Sequence, residues 1–374
     1  MLMRGLDTLL RRGNALPYAF AVHTTADDTL QIGRGEPVFH VHVRTPAGRK
    51  ALQSLSELAI CEAYMRGDLD FDGDLIKAMS ARRVLSDNNV WIKTWRRLHP
   101  LLVGRERCNP GWIAKHYDAG DIQLVAADRR YHTYTPGIYD GEGDTLEDGA
   151  ERKLAAAFES LRLKPGDSLL EVGCGWGGFL RFSARRGIRA TGITLSRDQL
   201  AYTKARIDEE RLTATALYQD FFSFHPEGRF DGISIMGVLE DLSDYPRVLR
   251  QLALLIKPGG RIYLDFGAAT TRMSSFITKY VWPGTFRMVH MPELMGCLSR
   301  SPFELVELHN DRRNYYLWAL GVYQRWMEGK AEVLARSDEA RWRTFQILYA
   351  GCAELMSSPA RQGTAYRIVL ELAA

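Results

Sequence analysis

The stretch LLEVGCGWGGFL, Leu169 to Leu180, constrains this chain most. A short apolar run ends in an acid, meets glycines at 173, 175 and 177, and continues as an apolar helix-like segment. That order reads as strand, tight turn, helix, with glycines letting the backbone approach a ligand. The segments that follow keep the alternation: IRATGITLS, DQLAYTKARIDEER, TATALYQDF, FDGISIMGVLE, YPRVLRQLALLI and GGRIYLDFG read as strand, helix, strand, strand, helix, strand. Strands separated by helical segments predict a doubly wound, Rossmann-like parallel sheet whose ligands sit at the carboxyl ends of its strands.

The chain before about residue 110 reads differently. YAFAVHT and VFHVHVRT alternate apolar and polar residues like half-buried strands, and LQSLSELAICEAYMRG has helical spacing up to Gly67. DLDFDGDLIKAM has the acids of a calcium loop without its register, so a turn with a helix N-cap is the better reading. We therefore expect a small α+β domain over residues 1–109 and a second domain over 110–374, with a helical cap near 270–355 and a last strand in TAYRIVLEL. MLMRGLDTLLRRGN reads as a short helix and is too weakly apolar for a signal peptide.

NNVWIKTWRRLHPLLVGRER sets Trp91, Ile92 and Trp95 among Lys93, Arg96, Arg97, Arg105 and Arg107. Such a helix can lie in a membrane interface. The plainer expectation is that its tryptophans pack into a core while its arginines are solvated. A net charge of +4 does not suggest a nucleic-acid partner. Five scattered cysteines, without a CxxC pair or a His/Cys cluster, predict neither a disulfide framework nor a metal site, and a reducing cytoplasm is the default. No apolar run is long enough to span a bilayer.

A glycine turn alone could hold a dinucleotide. Three features favour S-adenosylmethionine. Glu171 stands before the first glycine, the spacing is not GxGxxG, and QDF places Asp220 to accept from an adenine amino group with Phe221 beside the ring. The second strand ends without the usual ribose-binding acid, leaving Thr194 and Gln199 to supply polar contacts. KPGG before the fifth strand is a turn common in class I methyltransferases.

HYD at 116–118, TYT at 133–135, EVGCGWGG, GITLSRDQ, KPGG and KYVWPG occur in the order seen in cyclopropane-fatty-acyl-phospholipid synthases and mycolic-acid methyltransferases, and the chain resembles that family from about residue 15 to 320. CEAYMRGDLDFDGDL also resembles the small N-terminal domain of the phospholipid-acting members. The resemblance implies a class I methyltransferase fold and methyl transfer from S-adenosylmethionine to an alkene carbon of a lipid acyl chain. It further implies a cytoplasmic protein associated with the inner face of the membrane, with a homo-oligomer as a further option. Carried over by motif, Tyr134 and Thr135 contact the methionine part of the cofactor, and Gly173, Gly175, Thr194, Leu195, Gln199 and Asp220 are further contacts. Glu240 matches an acid of the reaction centre and Tyr315 its tyrosine.

The family binds bicarbonate as general base with a cysteine, a histidine, that glutamate and that tyrosine. Here the cysteine position is Pro136, the histidine position is Asp265, and Asp241 follows Glu240. Close carboxylates repel an anion, which argues against bicarbonate and makes Asp265 the candidate base. The plain alternative is that Asp265 caps a turn. Tyr280, Trp282, Phe286, Tyr315, Tyr316 and Trp318 are candidates for an acyl tunnel, with ordinary core packing the alternative for at least half of them. Two other functions fit the motifs: a methyltransferase of a soluble natural product, and a cofactor-binding protein without turnover.

Overall fold

The structure, a computed structural model, describes residues 16–24, 28–87, 89–103, 121–270, 273–282 and 286–373. The helix expected at the N-terminus, the HYD motif and the domain boundary near Pro110 lie outside these residues.

The N-terminal unit holds β1 (Ala19–His23), β2 (Thr29–Ile32), β3 (Pro37–Val43), α1 (Pro46–Ser54), α2 (Glu57–Met65), β4 (Leu69–Gly73), α3 (Leu75–Ser80) and α4 (Val90–Val103). Its sheet runs β2-β1-β3-β4, with β1 and β3 parallel and the outer pairs antiparallel. In β3 the alternation of PVFHVHV turns Phe39, Val41 and Val43 into the core. The single helix expected up to Gly67 is two. Leu55 takes a left-handed conformation (φ 52°), and the Ser56 hydroxyl accepts from Ala59 N–H at 3.3 Å to start a new helix. Asp74 caps α3 by accepting from Lys77 N–H at 2.9 Å, as the non-calcium reading requires.

α4 departs from the plainer expectation. Trp91 is 85% and Trp95 53% exposed, with Leu101 and Leu102 exposed beside them. Ile92 is the residue of α4 that, among the described residues, packs against an inner cluster.

The second unit follows with α5 (Leu146–Ser160), β5 (Ser168–Val172), α6 (Gly178–Ala184), β6 (Arg189–Thr194), α7 (Arg197–Glu209), β7 (Ala214–Tyr218), β8 (Phe230–Met236), α8 (Tyr245–Leu255) and β9 (Ile256–Ala269). Then come α9 (Ser275–Tyr280), α10 (Met291–Leu298), β10 (Phe303–Asn310), α11 (Arg312–Glu328), α12 (Lys330–Arg336), α13 (Glu339–Ser357) and β11 (Gly363–Leu372). The sheet order is β10-β11-β9-β8-β5-β6-β7, parallel except for β11, which runs antiparallel to both β9 and β10. This is the doubly wound sheet the alternation predicts, with β10 unannounced by it. Four of the five residues of β5 are buried because helices cover both faces. The order reverses between β5 and β8, and the crevice at their carboxyl ends is where such folds bind ligands.

The two units share a core. Ala350 of α13 packs within the N-terminal cluster, while Leu58 and Tyr64 of α2 join the cluster built on Trp318, Trp326 and Phe345. Arg343 Nη1 donates to the carbonyls of Tyr64 at 2.9 Å and Leu69 at 3.2 Å.

Candidate functional site

All thirteen residues singled out from the sequence line one cavity of about 440 Å³: Tyr134, Thr135, Glu171, Gly173, Gly175, Thr194, Leu195, Gln199, Asp220, Phe221, Glu240, Asp265 and Tyr315. They come from the carboxyl ends of β5, β6, β7, β8 and β9, from the loop before α5, and from α11.

The glycine turn opens the cavity floor. Gly175 has φ +52°, and a Cβ there would meet no atom within 4 Å, so the turn faces open space. Glu171 beside it is 5% exposed, and burial pushes its carboxyl up to about 8. Its Oε2 is buried with no hydrogen-bond partner. An orphaned acid beside an open glycine cradle suits a ligand that brings a cation and donors. At the end of β6, Thr194 Oγ1 donates to Gln199 Oε1 at 3.1 Å, and Ser196 caps α7 by accepting from Gln199 N–H at 3.2 Å. These bonds hold both polar side chains in the cavity wall where an acid would usually stand.

Asp220 and Phe221 divide differently from expectation. Asp220 Oδ1 accepts from the N–H groups of Phe222 (3.0 Å) and Ser223 (3.2 Å), so it shapes its own turn while lining the cavity. Phe221 is 4% exposed and rooted in the sheet's core cluster. Phe222, which the motif did not single out, also lines the cavity, with the Arg247 guanidinium 4.2 Å from its ring centre.

Gly237 follows β8 with φ +65°, and a Cβ there would stand 2.5 Å from Thr135 Cγ2. Glycine at this point lets the Tyr134–Thr135 loop close over the sheet. Tyr134 is fixed by a 2.5 Å hydroxyl contact with Tyr349 of α13. Glu240 lies four residues beyond β8, in a turn, rather than at the strand's end. Its Oε1 accepts from Gly267 N–H at 2.7 Å, and its carbonyl accepts from Arg287 N–H at 3.1 Å. Burial, then the nearby carboxylates of Asp265 and Asp241, pushes Glu240 up to about 8, and its Oε2 has no partner. Asp241 lines the same cavity, and dehydration raises it to about 7. Ser243 and Asp244 lead into α8, Asp244 capping it by accepting from Arg247 N–H at 3.2 Å.

Asp265 does not cap a turn. It sits within β9, and its Oδ2 lies 2.5 Å from Lys153 Nζ. Lys153 is 1% exposed, reaches in from α5, and also contacts Thr135 Oγ1 at 2.5 Å. The sequence reading missed this lysine. Its signal was position: with Ala150, Leu154 and Ala157 it falls on the buried face of α5. The lysine balances one of the carboxylates on which the argument against a bound anion rested.

Of the six aromatic residues expected around the acyl chain, Trp282, Phe286, Tyr315 and Trp318 line the cavity. Tyr280 instead donates to Glu62 Oε1 at 2.8 Å, and Tyr316 packs against the inner cluster of α11 and α13. Trp282 and Phe286 stack with ring centres 4.5 Å apart.

Residues 106–362, more than half of the chain, match the profile of the mycolic acid cyclopropane synthetase family. The chain is 28% identical over 359 residues to a protein of Mycobacterium tuberculosis named "Probable fatty acid methyltransferase", covering 83% of this chain and 82% of that one. It is 26% identical over 333 residues to sphingolipid C9-methyltransferase 1 of Gibberella zeae, where it spans 83% of this chain and 64% of the relative's length. Among solved structures, a cyclopropane synthase from Mycobacterium tuberculosis superposes with a TM-score of 0.65 at 21% identity, over 70% of this chain and 98% of that one. Coclaurine N-methyltransferase superposes with a TM-score of 0.63 at 14% identity, over 79% of this chain and 93% of that one. At these identities the superpositions speak for the fold.

Proposed function

Because the chain belongs to the mycolic acid cyclopropane synthetase family, S-adenosylmethionine-dependent methyltransferases of class I fold, we propose that it methylates an alkene carbon in an unsaturated fatty acyl chain of a phospholipid. The observation that carries the reading is the joining of a polar cradle and an aromatic wall in one cavity. Glu171, Gly173, Gly175, Thr194, Leu195, Gln199, Asp220, Tyr134 and Thr135 line it together with Trp282, Phe286, Tyr315, Trp318, Glu240 and Asp265, and Tyr134 meets Trp318 edge-on with ring centres 6.1 Å apart.

S-adenosylmethionine, when bound, supplies an electrophilic methyl group. Glu171 would offer its unpartnered carboxyl oxygen to the cofactor's amino group, and Gln199 and Thr194 would supply polar contacts to its ribose. An alkene that gains a methyl group carries a cation on the neighbouring carbon, which must lose a proton. Glu240 is the group we assign to take it. Its Oε2 is unpartnered and its affinity for a proton lies close to neutrality, which suits a proton acceptor in a dry pocket. Asp265, the base expected from sequence, is engaged by Lys153 and serves in this reading as the fixed negative charge beside the cation. Tyr315 and Trp318, their rings 5.3 Å apart, add aromatic faces. The product is a cyclopropane if the new methyl group loses the proton, and a methyl-branched alkene if an adjacent carbon does.

The membrane surface enters through α4. Trp91, Trp95, Leu98, Leu101 and Leu102 are exposed along it, and Lys93 and Arg97 are exposed among them. An amphipathic helix of this composition binds an anionic bilayer in its interface. Among the described residues no helix is long and apolar enough to cross a membrane. The reading is tested by methyl transfer from radiolabelled cofactor to vesicles of dioleoylphosphatidylglycerol, against a panel of soluble amines. Label in the lipid acyl fraction supports it, and label only in the amines refutes it.

A further inference from the structure

The cavity does not end at the aromatic wall. It continues into the N-terminal unit, where Phe20, Val22, Phe39, Val41, Leu52 and Ala78 line it. Each of these is 8% exposed or less. The parallel register of β1 and β3 pairs Ala21 with His40, so Phe20 and Val22 share the inner face of the sheet with Phe39 and Val41. Helices α1 and α3 cover that face with Leu52 and Ala78. Protein interiors are close-packed, and a space walled by apolar side chains suits an apolar ligand. Among the described residues, the N-terminal unit contributes two charged groups to the lining, Glu57 and Arg82, which lie close enough to attract each other.

α13 lines the cavity and touches both units. Tyr349 faces the Tyr134 side and Ala350 packs in the N-terminal core. Between them and Leu355, Gly351 lines the cavity, and a Cβ at Gly351 would meet no atom within 4 Å. Glycine inside a helix costs about 1 kcal/mol relative to alanine. No close neighbour demands the glycine here. The missing side chain leaves this stretch of α13 open to the cavity.

Resting on the function proposed above, we infer that the N-terminal unit is the binding site for the methyl end of the acyl chain, entered past Gly351. The charged headgroup must stay in water, and the double bond must reach Glu240. The methylenes beyond the double bond then need a dry space on the far side, and the N-terminal arm is that space. The unit is thus a ruler for the length of chain beyond the double bond.

Two experiments test this. Gly351→Phe carries a ring into the cavity from a position where a Cβ would meet no atom within 4 Å. It should lower transfer to dioleoylphosphatidylglycerol about tenfold or more relative to dimyristoleoylphosphatidylglycerol, whose chain is shorter beyond the double bond. Melting temperature and S-adenosylhomocysteine binding should stay as in Gly351→Ala. An equal loss on both lipids, or none, overturns the inference. Independently of turnover, the wild-type protein is irradiated on vesicles carrying a phospholipid with a diazirine at the acyl terminus. Label in peptides spanning residues 37–84 is expected. Label confined to residues 273–318, or no label, overturns it. Absence of methyl transfer to any unsaturated lipid would instead refute the function, and the label would still decide the site.

Discussion

Lys153 Nζ stands 2.5 Å from Asp265 Oδ2 and 2.5 Å from Thr135 Oγ1, at a side chain buried under α5. One cation thereby ties the loop that covers the cradle to the strand that carries the reaction centre. Breaking a buried ion pair by removing one partner typically costs about 3–5 kcal/mol, because the other charge is left without compensation. Lys153→Met alone should therefore destabilise the protein by about that much in urea denaturation. Lys153→Met combined with Asp265→Leu should recover most of the loss. If the double variant is no more stable than either single one, the pair is not coupled as described.

The proton acceptor makes a prediction about rate. Burial holds Glu240 at about 8, so its ionised form grows as pH rises through that value. The turnover rate on lipid should climb between pH 6 and 9 with a midpoint near 8. Glu240→Gln should lower the rate on the order of a hundredfold or more, the usual span for a general base, while cofactor binding persists. Removing bicarbonate from the buffer should leave the wild-type rate unchanged. A flat pH profile together with a bicarbonate requirement would transfer the role to a bound anion.

The same group predicts stability, with the sign fixed by linkage. A carboxyl at about 8 in the folded protein and near 4.5 when unfolded binds more protons folded than unfolded between those values. Its contribution is then fully present below 4.5 and lost as pH rises through 8. Glu171 adds to the same trend. Glu240→Gln should raise the melting temperature more at pH 8.5 than at pH 5, measured without cofactor. An equal shift at both pH values would show that Glu240 is not held protonated.

Legibility in the sequence followed the physics of each signal. The glycine turn and the β-α alternation are local and periodic, and they announced the sheet and the crevice. Thirteen residues chosen from the sequence fell in one cavity, most of them because strand ends converge there. Lys153 was hidden because lysine normally marks a solvated face, and only its spacing with Ala150, Leu154 and Ala157 betrayed burial. The break at Leu55 was hidden because Ser56 serves equally as a helix residue or a cap. Whether Trp91 and Trp95 face core or solvent depends on what packs against α4, which composition does not encode.

Those tryptophans give a binding prediction. Burying one aromatic side chain is worth on the order of 1.5 kcal/mol or more, so losing two should weaken partitioning about a hundredfold or more. Trp91→Ala with Trp95→Ala should lose that much binding to dioleoylphosphatidylglycerol vesicles in co-sedimentation, and added salt should weaken the wild type through Lys93 and Arg97. Unchanged binding would remove α4 from the membrane contact.

The central claim is that the methyl group goes to an acyl alkene carbon. It is tested most directly by mass spectrometry of dioleoylphosphatidylglycerol after reaction with S-adenosylmethionine carrying a trideuterated methyl group. The account predicts deuterium in the acyl chains: two labels in a cyclopropane, or three in a methyl-branched alkene. Deuterium on a headgroup or a soluble amine, with the acyl chains unlabelled, would contradict it.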